Sequence, residues 1–446
     1  MKSFLKKIIP QNILNQYHKV LAILASYVYG RPSEKMIVIG ITGTNGKSTT
    51  TILISKILEE AGYKVGATST AIFKIADKEW LNDKKMTMLG RFQLQKMLSQ
   101  MVSAGCQYVV IETSSQGVEQ FRHLGINYDV VVFTNLTPEH IEAHGGFDNY
   151  KKAKLKLFQH LSEQKYKIIN NKKIKKVIAV NGDDEYAKDF LNFKADEKII
   201  FGINSRDNQL QAKNIEFNSN GVSFVVNNTN FDLKLFGKFN VYNSLSGMAV
   251  ALSQEVSLDI CKKALEKTDL VPGRMEFINV GQPFKILVDY APEPEGLKQL
   301  YQTIKNHHIL STDGRIIHVL GSCGGGRDVG RQSIMGNLVA QNADFIVVTN
   351  EDPYDDEPME IINRVASGAV SYGKQEGSNL WKIQDRREAI KYALNLAKKD
   401  DLVLLTGKGC EQAICIKNNC KIPWDERQVA RELAQELISG DKFRIS

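Results

Sequence analysis

Gly43-Thr44-Asn45-Gly46-Lys47-Ser48-Thr49 puts two glycines, a lysine and three hydroxyls on one short loop. Backbone N–H groups on such a loop, with the dipole of a following helix, can cradle a polyphosphate. Lys47 can reach the terminal phosphates, and Ser48 or Thr49 can offer a hydroxyl to Mg²⁺. The flanks suit this chemistry. Met36–Ile41 is apolar and largely β-branched, and ILISKILEEAG after the loop has a helical pattern. The strict G-x-x-x-x-G-K-[ST] pattern is not met, because Ile41 stands where its first glycine would be.

Two more polar clusters follow apolar runs. One is Glu112-Thr113-Ser114-Ser115-Gln116-Gly117, after QYVVI. The other is Thr134-Asn135-Leu136-Thr137-Pro138-Glu139-His140, after YDVVVF. Ligands of parallel sheets bind beyond the carboxyl ends of the strands, so the three strand ends should face one crevice. A carboxylate at Glu112 suits Mg²⁺ beside phosphates. His140 could be a metal ligand or a general base, or a structural histidine. Lys154 lies in YKKAKLKLF, which taken alone is an amphipathic helix with a solvated lysine face.

The elements that must position these groups read as α/β. Residues 1–35 suggest one or two short helices ending at Gly30-Arg31-Pro32. Strands are expected at 36–42, 107–112, 128–134, 166–170 and 176–180, alternating with helices. That alternation predicts a mainly parallel sheet. Residues 200–236 show short alternating stretches with Asn-rich turns, as in antiparallel hairpins, and a helix is expected at 240–254. Pro272-Gly273 marks a boundary. A second α/β series, Rossmann-like, runs through 285–290, 316–321, 344–350 and 402–407. The expected organisation is a helical segment 1–35, a central phosphate-loop ATPase domain 36–271 and a C-terminal domain 272–446.

Composition narrows the class. Hydrophobic content of 43% and charged content of 24% are ordinary for a globular chain of 446 residues. Net charge is +8, which favours anionic nucleotides and polycarboxylates. No aromatic-basic repeat or zinc module supports nucleic acid as partner. The six cysteines form no C-x-x-C and read as reduced thiols in a cytoplasmic protein. The apolar run 20–29 is too short to span a bilayer and reads as a docking helix, with a surface-membrane helix as the alternative.

Taken together, GTNGKST, ETSSQG, FTNLTPEHIEAHG and YKKAKLKLF resemble, in order and spacing, the Mur ligase family and, within it, the tripeptide-synthetase branch. The likeness continues through FNVYN (239–243), GRME (273–276), VDYA (288–291), GGGRD (324–328), Asp385-Arg386 and GKG (407–409), and covers about residues 36–435. Members add amino acids to the muramyl peptide of cell-wall precursors at the expense of ATP. The resemblance implies an acyl-phosphate route and two Mg²⁺ sites. It assigns the phosphates to Gly43, Thr44, Asn45, Gly46, Lys47, Ser48 and Thr49, and Mg²⁺ to Ser48, Glu112, His140 and an N-carboxylated Lys154. Asn243 would touch adenine, while Arg274 and Asp289 would meet ATP across the cleft. Asp352, Tyr354, Lys408 and Glu411 would lie near the incoming amino acid. It also implies a monomer.

Departures from the family pattern bear on substrate. Only 35 residues precede the apolar run that leads into the loop, so the usual uridine-diphosphate-binding domain is not expected, and the acceptor could be UDP-linked, lipid-linked or simpler. Glu351-Asp352-Pro353-Tyr354 stands where diaminopimelate-adding members carry D-N-P-R, and offers no cation. Tyr354 and the acidic run 355–357 would suit a side-chain amine, which favours L-lysine. Gln116, Pro292-Glu293 and Cys410 each replace an imidazole-bearing or neighbouring family position. The alternatives are a folylpolyglutamate-synthetase-like ligase, or a nucleotide-binding regulatory subunit that does not ligate. Gly321–Gly326 does not meet the G-x-G-x-x-G order of a dinucleotide fingerprint.

Overall fold

The computed structural model describes residues 10–139, 141–204, 207–327 and 329–440. Strand Ile37–Thr42 is apolar on both faces and all but its first residue is buried. A strand with two apolar faces belongs in the middle of a helix-covered parallel sheet. It lies there, between the parallel strands Tyr108–Glu112 and Val130–Phe133. Val65–Thr68 extends the sheet on one side and carries the antiparallel strands Ile72–Ile75 and Lys78–Leu81. On the other side Val177–Asn181 and Glu197–Gly202 continue it in parallel.

Alternating residues of the central strand feed two cores. Ile39 and Ile41 pack with helices Lys47–Glu60 and Lys238–Ser253 through Leu53, Ile57, Leu245 and Met248. Met36 and Val38 face Leu94, Leu98, Leu157 and Phe158, from helices Arg91–Ser103 and Phe147–Glu163. Opposite the carboxyl edge of this sheet, Asp129 is fully buried. Its carboxylate accepts hydrogen bonds from Lys167, from Lys176 (3.1 Å) and from the Val38 amide (2.9 Å).

The second series forms a separate sheet. Its order is Glu276–Ile278, Lys285–Asp289, Leu402–Thr406, Ile316–Leu320, Phe345–Val348, Leu380–Lys382, with only the first pair antiparallel. Helices Pro294–Asn306, Gly330–Asn342 and Pro358–Ser371 cover one face; Arg386–Leu396 and Glu426–Ser439 cover the other.

Two expectations change and one holds. Residues 166–170 are not a strand of the main sheet: Ile168–Ile169 pairs only with Lys172–Lys173. The tight turn explains it, since Asn170 and Asn171 both take positive φ (50° and 62°), the conformation of a two-residue hairpin. The hairpins after residue 200 do form, through Leu210–Asn218, Gly221–Val226 and Thr229–Leu233. They are joined to the main sheet edge through Phe201 and Leu210. Among the described residues, the chain before the first strand holds one long helix, Gln11–Val28, and a short 3-10 turn at Pro32–Lys35. No helix among the described residues is long and apolar enough to cross a membrane.

Candidate active site

The carboxyl edge of the first sheet faces the second sheet across a cavity of about 750 Å³, a size suited to a nucleotide and part of a second substrate. Gly46 takes φ of 81° at the start of the helix that opens with Lys47. A Cβ there would lie 2.3 Å from Asn243 Oδ1, so both conformation and space require glycine. Asn243 braces the loop, accepting from Thr50 Oγ1 (3.2 Å) and donating to Asn240 (2.9 Å). Thr44 and Asn45 are tied to the Val130–Phe133 strand end: their amides donate to Asn135 O and Oδ1, each at 2.8 Å. The loop is held in shape by its neighbours, its first-turn amides left to a ligand.

Glu112 sits beside the loop. Its carboxylate accepts from Ser48 Oγ (2.7 Å), from the Thr70 amide (2.7 Å) and from Thr70 Oγ1 (3.0 Å). Lys47 donates to Thr44 O at 2.6 Å. Lys154 is 1% exposed. Its Nζ donates to Gly43 O at 2.7 Å and lies 4.3 Å from the Tyr150 ring centre. No carboxylate among the described residues forms an ion pair with it. Burial, reinforced by Lys47, holds its pKa well below the ordinary lysine value, against weaker pulls from Glu139 and Glu112. The solvated lysine face expected of this helix is therefore broken at Lys154. His140 lies outside the described residues.

The second sheet supplies the opposite wall. Asp289 accepts from the Met275 amide (2.7 Å) and the Ala291 amide (2.9 Å), and burial raises its pKa against Arg274. Arg274 stacks on Tyr290 at 4.3 Å. Glu293, read from sequence as a departure, caps helix Pro294–Asn306 through the Glu295 and Gly296 amides, both 2.7 Å. Its Oε1 also takes Asn45 Nδ2 at 3.2 Å, which joins the second wall to the phosphate loop.

At the far end of the cavity, Asp352 and Glu411 share two ammonium groups. Lys408 donates to Asp352 (3.0 Å), Glu411 (2.9 Å) and Ala413 O (2.7 Å). Lys85, from the first half, donates to Asp352, and to Glu411 and Ala413 O at 2.9 Å each. Burial alone would raise the Asp352 pKa; Lys408 and Lys85 outweigh it and hold the carboxyl below its usual range. Glu351 is wholly buried against the Cys323 thiol (3.0 Å), and burial pushes its pKa up.

Of the residues to which the resemblance assigns a role, all within the described set line this one cavity except Lys408. Lys408 is fully buried and holds Asp352 and Glu411 from behind. The acidic run 355–357 is also outside the lining. Asp355 and Asp356 instead accept from the Asn418 and Gly325 amides. A cation does lie near 351–354: Arg327 is 5.8 Å from the Tyr354 ring centre. Lys85, Thr70 and the loop contact of Glu293 were not legible in sequence. Lys85 stands in a plain Asp-Lys-Lys run with no motif to mark it.

Residues 41–251 match the Mur ligase middle domain, and residues 273–409 the Mur ligase glutamate ligase domain. The chain is 36% identical over 428 residues to the UDP-N-acetylmuramyl-tripeptide synthetase of Roseiflexus sp. (strain RS-1), across 94% of this chain and 82% of that one. It is 35% identical to the UDP-N-acetylmuramoyl-L-alanyl-D-glutamate–2,6-diaminopimelate ligase of Clostridium tetani, with the same coverage. A solved 2,6-diaminopimelate ligase of that kind superposes with a TM-score of 0.60 at 25% identity, over 94% of this chain and 83% of that one. Folylpolyglutamate synthase of Mycobacterium tuberculosis, at 16% identity and TM-score 0.67 over 89% of this chain and 94% of that one, shares the fold.

Proposed function

This chain belongs to the Mur ligase family, and from that premise we propose that it adds L-lysine to the carboxylate of a muramyl peptide through an acyl phosphate. It is an ATP-dependent ligase of peptidoglycan precursor synthesis. The observation that carries the finer reading is the two-ended cavity. One end is a braced phosphate loop with Glu112 and Lys154. The other is an acidic pocket that already accommodates an ammonium group, that of Lys85.

The loop amides and Lys47 would take the phosphates of ATP, with Arg274 and Asp289 closing from the other wall. Ser48, Glu112 and Lys154 fit Mg²⁺ only if Lys154 changes charge. Burial and the nearby Lys47 push the Lys154 pKa well down, which favours the neutral amine, the form that captures CO₂ as a carbamate and gains anionic oxygen ligands. Mg²⁺ supplies neutralisation of the charge that develops on the transferring phosphoryl group. Lys47 adds a fixed cation there, and the walls joined through Asn45 and Glu293 limit water around the acyl phosphate. The amine of the amino acid then attacks the acyl carbon and phosphate leaves.

For the added amino acid, Asp352 and Glu411 recognise a side-chain ammonium and Arg327 takes the α-carboxylate. A second reading, meso-diaminopimelate, is favoured by the same Arg327 with Arg331 in the lining, because two guanidiniums can serve two carboxylates. Phosphate release with ATP, Mg²⁺ and UDP-N-acetylmuramoyl-dipeptide tests both, with tetrahydrofolate as control acceptor. Lysine, diaminopimelate and glutamate are supplied singly and in competition. Lysine should be incorporated in preference. Preference for diaminopimelate would select the second reading, and turnover with tetrahydrofolate and glutamate would remove both.

A further inference from the structure

Helix Gln11–Val28 carries an apolar stripe on its outer face. Ile13, Tyr17, Val20, Leu24, Tyr27 and Val28 are each 48–63% exposed. Their spacing of three and four residues places them on one side of the helix. The opposite side is the one packed against the fold: Ala22, Ala25 and Ser26 are buried. A Cβ on Gly125 would meet Ala22 O at 2.6 Å, so this docking is close. The helix is therefore anchored by its small residues and presents its large ones to solvent. Scattered exposed apolar residues are ordinary, but a continuous stripe about 23 Å long is not.

Charge selects what covers it. Lys2, Lys6, Lys7, Lys19 and Arg31 precede the first acidic residue of the chain, Glu34. Lys19 and Arg31 lie near aromatic rings, Phe121 and Tyr27, at 5.1 and 5.6 Å. Two tyrosines on the stripe add rings with a polar tip, which suit a water–lipid boundary. Arg31 pairs with Glu34 at 2.9 Å, and helix Gln11–Val28 itself carries Lys19 and no acidic residue, so a second copy laid on this face would bring no carboxylate to the lysines. An anionic lipid surface offers the complementary charge and an apolar layer within reach of side chains lying in the interface plane.

We propose that helix Gln11–Val28 docks on an anionic bilayer surface, lying in the plane of the interface with its Ile13–Val28 stripe in the lipid. The proposal does not depend on which acceptor or amino acid the enzyme uses. It does place one margin of the catalytic cavity near the membrane. Arg91, on the helix that packs against this one, bonds Gln120 O, and Gln120 lines the cavity.

The test is co-sedimentation of the full chain with phosphatidylglycerol–phosphatidylcholine vesicles and with pure phosphatidylcholine vesicles, at low and high salt. Binding should require phosphatidylglycerol and weaken as salt rises. V20E/L24E should lower the bound-to-free ratio by about tenfold or more, with melting temperature and soluble-substrate turnover unchanged. Should that variant melt early, L24Q carries the same expectation in milder form. K2Q/K6Q/K7Q should remove the preference for phosphatidylglycerol. No binding to either vesicle, or binding that V20E/L24E leaves intact, would overturn the proposal. So would a dimer in sedimentation velocity that V20E/L24E dissolves, which would assign the face to a second copy.

Discussion

Lys154 and Lys167 are both buried beneath the same sheet, at opposite edges, and they are built in opposite ways. Lys167, at the amino edge, donates to the buried Asp129 and to Met36 O (2.9 Å). Burial lowers its pKa to about 8, with Asp129 pulling the other way. Lys154, at the carboxyl edge, has a carbonyl and an aromatic ring as partners and a like charge, Lys47, nearby. A charge that is paired and hydrogen-bonded holds elements together; a buried amine without a carboxylate is chemistry in waiting. The same residue type thus marks the architecture at one edge and the site at the other.

Lys154→Ala should break the functional side of this comparison. Ligation should fall by about a thousandfold or more, with the melting temperature unchanged or raised. Formate or acetate in the assay should restore part of the rate by standing in for carbamate oxygens. Unchanged turnover in Lys154→Ala would return this residue to the structural class.

Lys167→Ala should do the reverse. Leaving Asp129 with one lysine at 3.1 Å, it should cost about 3–5 kcal/mol of stability in urea unfolding. KM for ATP in the folded fraction should stay the same. A large KM change would show that the two edges are coupled.

Lys85 sharpens the comparison, because it is a buried lysine paired with carboxylates yet placed in the site. Lys408 also holds Asp352 and Glu411, so the acidic pocket should survive Lys85→Met. KM for L-lysine should then fall about tenfold, the worth of one charged hydrogen bond no longer competed for. KM for ATP should stay constant. A rise in the lysine KM would mean that Lys85 organises the pocket instead of occupying it.

The smallest expected effect concerns His318, which is buried between the Tyr301 hydroxyl (2.6 Å) and Thr406 Oγ1 (2.8 Å). Burial, with Arg386 nearby, lowers its pKa from 6.5 to about 3. As pH falls below 6.5 the unfolded chain takes up this proton and the folded one does not. Stability should therefore drop with falling pH, by about 1.4 kcal/mol per unit from this group. His318→Gln should flatten the slope of urea midpoint against pH between 6.5 and 5 by about that amount.

Local pattern made much of the molecule legible. The strand–loop–helix at 37–60 and the alternation of parallel strands follow from runs of β-branched residues between helical periods. The pairing of Glu112 with the loop was anticipated because both end adjacent parallel strands. What escaped was set by distance along the chain. Lys85 meets Asp352 from 267 residues away and Glu411 from 326, with no motif to mark the lysine. Glu293 read as a lost family position, although its carboxylate caps a helix and reaches Asn45. The acidic run 355–357 looked like a substrate pocket because its composition is acidic. The Asp355 and Asp356 carboxylates are turned to backbone amides instead.

The sequence by itself determined the phosphate loop, the two α/β series and the family, because each rests on short-range order: spacing, periodicity and glycine at a fixed φ. Only the tertiary structure decided the burial of Lys154, the placement of Lys408 behind the pocket, the ammonium in the acidic end and the outward stripe of the first helix. Those depend on burial and on partners far apart in sequence. A lysine's identity is written in the chain, but its charge is fixed by what the fold removes from water around it.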